Sequence, residues 1–115
     1  MSWWVSLKEN NKSVKVEHFT AGGTYPIGGT DEAELNITYN YSELYYRYLD
    51  KELGLKWLHQ REAKYCIEKL KNAVKELGTK QDEDYWKATN GNAGYALNIL
   101  LKWARRHPEA KFEVE

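Results

Sequence analysis

The chain has 115 residues, 42% of them hydrophobic and 30% charged, and its 17 basic side chains balance 17 acidic ones. This length and composition predict one globular domain over residues 1–115. The zero net charge argues against a general nucleic-acid binder, which needs excess Lys and Arg to neutralise phosphates. Nine tyrosines and five tryptophans exceed what so small a core can bury, so some are expected to face a partner.

Targeting signals are missing from the sequence. A lone cysteine, Cys66, makes no internal disulfide and therefore implies no oxidising compartment. The first residues lack the basic and apolar regions of a signal peptide, and no apolar run reaches membrane-spanning length. The expectation is a cytoplasmic protein without a membrane segment.

The N-terminal region alternates apolar and polar side chains with the period of a β-strand. Residues 3–8 and 13–19 show this pattern, and the polar residues 9–12 between them predict a hairpin turn. Residues 22–30 then carry the triplet Gly-Gly-Thr twice. These glycines are assigned to turns, because no phosphate-loop motif is present and a strand follows instead of a helix.

The clearest alternation lies in residues 33–41, AELNITYNY, which we predict to form one strand. Asparagine is uncommon in strands, so two on one face indicate fixed hydrogen bonds. Their partner is either a ligand or, as is more common for buried polar groups, neighbouring backbone. The predicted polar face consists of Glu34, Asn36, Thr38 and Asn40. The predicted apolar face consists of Leu35, Ile37, Tyr39 and Tyr41.

Two helices are predicted in the middle of the chain from apolar residues at helical spacing. The first has Ser42 as its N-cap and ends near Gly54. The second covers roughly residues 55–77, with Gly78 in the position of a C-terminal cap.

The last third of the chain predicts two more helices and a strand. Asp82 caps a short helix over residues 83–89, and Asn92 caps a longer one over residues 93–107. The tail 111–115 alternates again and is expected to add an edge strand. Strands followed by helices predict an α+β fold, with an antiparallel sheet of three to five strands packed against three to four helices.

The sequence contains no motif that indicates catalysis. The three histidines are far apart in the sequence, and no nucleophile or zinc-protease motif occurs. We therefore predict no catalytic residue, no metal site and no cofactor. A small hydrolase that uses Glu34 or Glu43 stays open as the least favoured alternative.

Two segments carry a resemblance, GGT…AELNITYNYS and GTKQDEDYWKATNGNAGYALNILLKWA. Over residues 22–106 the chain resembles a set of small uncharacterised proteins of bacteria and their phages. The most specific pieces are residues 34–42 and 89–97. The resemblance implies no catalytic residue; it implies an accessory protein of phages or mobile elements that binds and blocks a host complex.

The leading hypothesis is a non-enzymatic protein-binding domain that acts through a tyrosine-rich surface, as an inhibitor of a host defence complex would. Another protein is the expected partner. The expected contacts are Tyr39, Tyr41, Tyr45, Tyr46 and Trp86. The alternative is a pocket for a small polar ligand such as a nucleotide or sugar. Its expected lining is Asn36, Thr38, Asn40 and Tyr46.

Overall fold

The structure is a computed structural model of the chain, and it describes residues 1–16, 24–26 and 32–115. For residues 24–26 the description is confined to the backbone and its pairing. The predicted glycine turns and the second half of the predicted strand 13–19 lie outside the described residues.

One antiparallel sheet of five strands is formed by the described residues. The strands are β1 (Ser2–Glu9), β2 (Lys12–Ser13), β3 (Thr24–Pro26), β4 (Glu34–Thr38) and β5 (Lys111–Val114). Strand β1 is central: Val5 pairs with Leu35 of β4 on one edge and with Val114 of β5 on the other. The predicted C-terminal strand is therefore confirmed, and β3 pairs with the far side of β4.

The predicted N-terminal hairpin is confirmed, with a two-residue loop. Asn10 and Asn11 have φ values of 54° and 64°, the left-handed conformation that a tight hairpin turn of this length requires. Strand β2 pairs with β1 only through Lys12 and Ser13, and the Val14 N–H then donates to the Leu7 carbonyl at 3.0 Å.

Strand β4 is shorter than predicted. It ends at Thr38, and residues 39–41 form a 3₁₀ turn, so the prediction of one strand as far as Tyr41 is wrong. Thr38 Oγ1 accepts the Asn40 N–H at 3.2 Å, a local bond that caps the turn and competes with a further ladder pair. Asn40 therefore leaves the polar strand face, while Leu35 and Ile37 point into the core as expected.

Three α-helices lie within the described residues: α1 (Ser42–Tyr48), α2 (Ile67–Leu77) and α3 (Asn90–Arg106). Their apolar residues share one buried cluster with Trp3, Val5 and Leu7 of β1 and with the inner residues of β4 and β5. The α+β prediction is thus confirmed. No helix of the described ranges is long and apolar enough to cross a membrane.

The predicted helix boundaries need correction in the middle of the chain. The first helix ends at Tyr48 instead of running to residue 53. In place of a helix over residues 55–77, two 3₁₀ turns precede α2. Gly54 and Gln60 have φ values of 58° and 62°, and a right-handed helix cannot continue through such residues. Gly78, with φ 79°, follows α2 as predicted.

The predicted helix caps are also wrong at two positions. Ser42 does not cap α1; it is the first residue of the helix, and its hydroxyl donates to the Tyr39 carbonyl at 2.6 Å. Thr89 caps α3 instead of Asn92, because Thr89 Oγ1 accepts the Asn92 N–H at 3.1 Å. The predicted short helix over residues 83–89 is replaced by turns and bends.

The outer edge of β5 is covered by the chain that follows the first 3₁₀ turn after α1. The Gln60 N–H donates to the Phe112 carbonyl at 2.7 Å, and the Phe112 N–H donates to the Arg61 backbone carbonyl at 3.0 Å. His59 Nδ1 accepts the Val114 N–H at 3.0 Å. These bonds occupy backbone groups that an open edge would offer to another strand.

The contact between α3 and the end of α2 leaves no room for a side chain at Gly94. A Cβ there would lie 1.8 Å from the Gly78 carbonyl oxygen and 2.9 Å from Leu77 Cβ. Since these are backbone and core atoms, Gly94→Ala must separate the two helices. We expect it to lower the free energy of unfolding by about 3 kcal/mol in a urea titration.

Lys75→Ala is the matched control. Lys75 is exposed in the last turn of α2, so alanine there removes no core packing and should change the free energy of unfolding by no more than about 0.5 kcal/mol. An equally small change for Gly94→Ala would contradict the close packing at Gly94.

Burial of Cys66 gives a second test of the core. Burial raises the pKa of the Cys66 thiol to about 11 from its ordinary value of 9.0, although Arg61 opposes this shift. The unfolded chain therefore loses this proton at lower pH than the folded chain, and ionisation favours unfolding. The free energy of unfolding should fall as pH rises from about 9 to about 11, and it should fall less in Cys66→Ala. Identical pH profiles for the two proteins would contradict a buried thiol.

Candidate functional site

Two segments that are distant in the chain meet at one end of β4. Asn40 Nδ2 donates to the Trp86 carbonyl at 2.8 Å. The Tyr41 hydroxyl donates to the neighbouring Tyr85 carbonyl at 2.5 Å. These two hydrogen bonds attach residues 85–86 to the 3₁₀ turn 39–41. We call the surface formed by Tyr39, Asn40, Tyr85 and Trp86 the aromatic patch.

The rings of the aromatic patch are exposed to solvent. The exposed fraction is 39% for Tyr39, 44% for Tyr85 and 48% for Trp86. The Tyr85 and Trp86 rings lie 5.8 Å apart, and the Tyr39 ring packs edge-on against buried Trp3 at 4.9 Å. The patch thus rests on the core at Trp3 while its other rings face outward.

Two tyrosines expected at the surface lie in the core instead. Tyr41 and Tyr45 are fully buried, with their rings 6.1 Å apart in an edge-on arrangement. The Tyr45 hydroxyl donates to the Ala93 carbonyl at 3.0 Å, which joins α1 to α3. Burial raises the pKa of Tyr41 to about 12 and that of Tyr45 well above its ordinary value, so both hydroxyls stay protonated donors at neutral pH. They support the aromatic patch from beneath and do not belong to its surface.

Asn92 holds the loop that carries Tyr85 and Trp86. Its side chain, 2% exposed, accepts the Asp82 N–H at 2.9 Å. Its amide nitrogen donates to the carbonyls of Asp84 at 3.1 Å and Lys87 at 2.9 Å. Only an amide side chain offers one acceptor and two donors in this arrangement. The sequence alone assigned Asn92 to helix capping. The signal for another role was that Thr89, three residues earlier, can cap the same helix.

Two aspartates shape the same loop. Asp82 Oδ1 accepts the Asp84 N–H at 2.9 Å, and Asp84 Oδ1 accepts the Trp86 N–H at 3.1 Å. Such Asx turns satisfy backbone donors without a helix, which explains why the predicted helix over residues 83–89 does not form. They also fix the two carboxylates in place beside the aromatic patch.

The middle and end of the polar strand face are buried in the described part of the chain. Asn36 and Thr38 are buried, and the Thr38 hydroxyl is occupied by the 3₁₀ turn. In the sheet register Asn36 lies between Trp4 of β1 and Tyr25 of β3. Tyr46 is exposed on α1, with its ring against Gly54. Of the four residues expected to line a ligand pocket, Asn36 and Thr38 are therefore buried, Asn40 is bonded to the Trp86 carbonyl, and Tyr46 packs on Gly54.

The two carboxylates of the hydrolase alternative lie in different environments. Burial and the neighbouring Glu32 raise the pKa of Glu34. Glu34 borders a cavity of about 90 Å³, whereas pockets for small molecules have at least roughly 300 Å³. Glu43 is exposed in the first turn of α1, beyond the other end of β4. Among the described residues, the space that Glu34 borders is therefore smaller than a typical substrate pocket.

Open space occurs elsewhere, at the hairpin end of the sheet. A cleft of about 640 Å³ lies there. It is lined by Lys8, Glu9, Asn10, Asn11, Gln60, Glu109, Lys111, Phe112 and Glu113. Lys8 and Glu113 form an ion pair at 2.8 Å inside this lining. Within residues 1–16, 24–26 and 32–115, no group of three or more His, Cys, Asp or Glu side chains is placed to hold a metal ion.

Removal of the Asn92 amide tests its part in the site. Asn92→Ala breaks three side-chain hydrogen bonds, so we expect the free energy of unfolding to fall by about 2–4 kcal/mol. Amide hydrogen exchange should accelerate most in residues 82–87. Asn72→Ala, at an exposed position of α2, is the control and should change little. Unchanged exchange in the loop of the Asn92 variant would contradict this role.

No protein-family model, curated protein or solved structure matches the chain.

Proposed function

We propose that this protein acts by binding another protein through the aromatic patch. The observation that carries the proposal is that exposed Tyr85 and Trp86 are held by hydrogen bonds from Asn40 and Tyr41 to their own backbone. An exposed ring on a mobile loop would have to be ordered on binding, at a cost in entropy. A ring on an anchored loop avoids part of that cost, which favours affinity.

The residue types support protein recognition. Tyrosine and tryptophan are enriched at the energetic centres of protein interfaces, because they bury a large area with few rotatable bonds. The amide of Asn40 and the hydroxyls of Tyr39 and Tyr85 add polar groups at the edge of the rings. An apolar centre with polar groups around it is the usual composition of such an interface.

The resemblance of residues 22–106 to small proteins of bacteria and their phages supports a class of partner. Accessory proteins of this size in phages and mobile elements often act by binding a host complex and blocking it. We therefore propose a bacterial host complex, such as a defence complex, as the target. Inhibition would then follow from occupancy of a surface and would need no catalytic residue in this chain.

The proposal predicts that truncation of Trp86 weakens partner binding and that truncation of Tyr65 does not. The tagged protein is used to capture partners from lysate of a bacterial host, and affinity for the captured protein is then measured. Trp86→Ala should weaken binding by about 2 kcal/mol or more, roughly thirtyfold, because a buried anchor is lost. Tyr65→Ala is the matched control, since Tyr65 is 68% exposed on a different segment, and it should bind normally.

Two outcomes would contradict the proposal. One is that the wild-type protein captures no stoichiometric partner. The other is that Trp86→Ala and Tyr65→Ala bind the captured partner equally well while both remain folded by circular dichroism.

A further inference from the structure

We infer that the cleft at the hairpin end of the sheet binds a small neutral saccharide through the side-chain amides of Asn10, Asn11 and Gln60. The cleft and the aromatic patch lie at opposite ends of β1, because β1 begins beside the last residue of β4 and ends at the hairpin turn. The inference therefore does not depend on the proposed function. Two observations carry it: the backbone conformation of the three amide residues, and the balance of charge around them.

The cleft has the size of a site for a small molecule. Its volume of about 640 Å³ lies within the range of roughly 300–1,000 Å³ that ligand pockets occupy. Residues 8–11, the turn at Gln60 and residues 109–113 line it. The turn at Gln60 is fixed to β5, since the Gln60 N–H donates to the Phe112 carbonyl at 2.7 Å. The segments around the cleft are thus held together by the fold itself.

The three amide residues share an uncommon backbone conformation. Among the described residues, Asn10, Asn11 and Gln60 are the non-glycine residues with positive φ, and all of them line this cleft. In this conformation Cβ crowds the backbone, so glycine fits best; asparagine is tolerated, whereas glutamine is not favoured.

Glycine would therefore serve the backbone better than an amide residue at two of these positions. The preferred sequence of a two-residue hairpin loop is Asn-Gly, yet Asn11 stands in the second position. Gln60 likewise stands where glycine would avoid the strain. Both side chains are exposed, so neither contributes packing to the core. Residues that fold less easily than glycine and add nothing to the core indicate a use for their side chains in the cleft.

Charge around the cleft is balanced. Lys8 pairs with Glu113 at 2.8 Å, and Lys64 pairs with Glu109 at 3.2 Å. The lining has one further acidic and one further basic residue, Glu9 and Lys111. A phosphate would gain nothing from this balance, because it would meet carboxylates as well as ammonium groups, and a cationic ligand is in the same position. The lining therefore favours a ligand without charge.

Amides suit the hydroxyl groups of a neutral ligand. An amide side chain offers an acceptor oxygen and two donor hydrogens, and a sugar hydroxyl also donates and accepts. Amides from two turns of the chain can thus bond to several hydroxyls of one ligand. An apolar ligand would instead cover these amides without giving them partners, which is costly. A neutral saccharide satisfies the amides and brings no charge into the cleft.

The test is an NMR titration of the isotope-labelled protein with glucose, galactose, N-acetylglucosamine, maltose and chitobiose. Binding is followed by the side-chain amide signals of Asn10, Asn11 and Gln60 and by the backbone amide signal of Lys111. We expect at least one of these sugars to shift the signals saturably, with a Kd of about 1 mM or lower. Glucose 6-phosphate and glucosamine, which add a negative or a positive charge to the ring, should bind no more tightly than the best neutral sugar.

The matching variant combines Asn11→Gly with Gln60→Gly. Glycine suits the left-handed backbone at both positions, so we expect no loss of thermal stability. The variant lacks two of the amides, so its affinity for the sugar should fall by roughly tenfold or more. Asn72→Ala removes an amide at an exposed position of α2, and this control should bind the sugar as the wild-type protein does.

Four results would overturn the inference. The first is that none of the neutral sugars shifts the signals of the cleft, and the second is that a charged sugar binds more tightly than every neutral one. The third is that the glycine variant binds as well as the wild-type protein. The fourth is that the glycine variant is less stable, because the two side chains would then serve the turns. Capture of a lysate partner through Trp86 should be unchanged in the glycine variant, so the two proposals are tested separately.

Discussion

Pairing of strand β1 along both edges is the constraint on which the fold depends. Val5 has Leu35 on one side and Val114 on the other, so the ends of the described chain are tied into one sheet. This arrangement places Trp3, Val5 and Leu7 of β1 in the core. It also fixes the register of β4, whose last pair joins Thr38 to Ser2. After that pair Thr38 turns the chain into the 3₁₀ turn instead of extending the ladder.

The site follows from where that turn occurs. Because the chain turns directly after Thr38, Asn40 and Tyr41 lie at the end of the sheet, within hydrogen-bond reach of residues 85–86. Asn92 then holds the preceding part of the same loop from inside. The loop 82–87, which contains no helix or strand, is therefore attached to the 3₁₀ turn 39–41 on one side and to Asn92 of α3 on the other. Polar side chains, and not regular secondary structure, hold the exposed aromatic rings in position.

The site was only partly predictable. Tyr39, Asn40 and Trp86 were singled out individually, and the structure brings these three together although Asn40 and Trp86 are 46 residues apart. The buried Tyr41 and Tyr45 are tyrosines like the exposed ones, and the local sequence does not indicate which tyrosines will be buried in the core. Tyr85 was not among the expected contacts although it lies next to Trp86, and Asn92 was assigned to capping because its neighbours have capping chemistry.

The sequence by itself determined the features that depend on neighbouring residues: the hairpin with its Asn10–Asn11 turn, the alternation of β4 and β5, the glycine that ends α2, and the α+β layout. These follow from side-chain period and backbone preference, which act over a few residues. The tertiary structure alone decided where β4 stops, where the long predicted helix is broken at Gly54 and Gln60, and which tyrosines are buried. It also decided that residues 39–41 and 85–86 share a surface. The reason is that these outcomes depend on hydrogen bonds and packing between distant segments, and such contacts override a local pattern wherever a buried group would otherwise lack a partner.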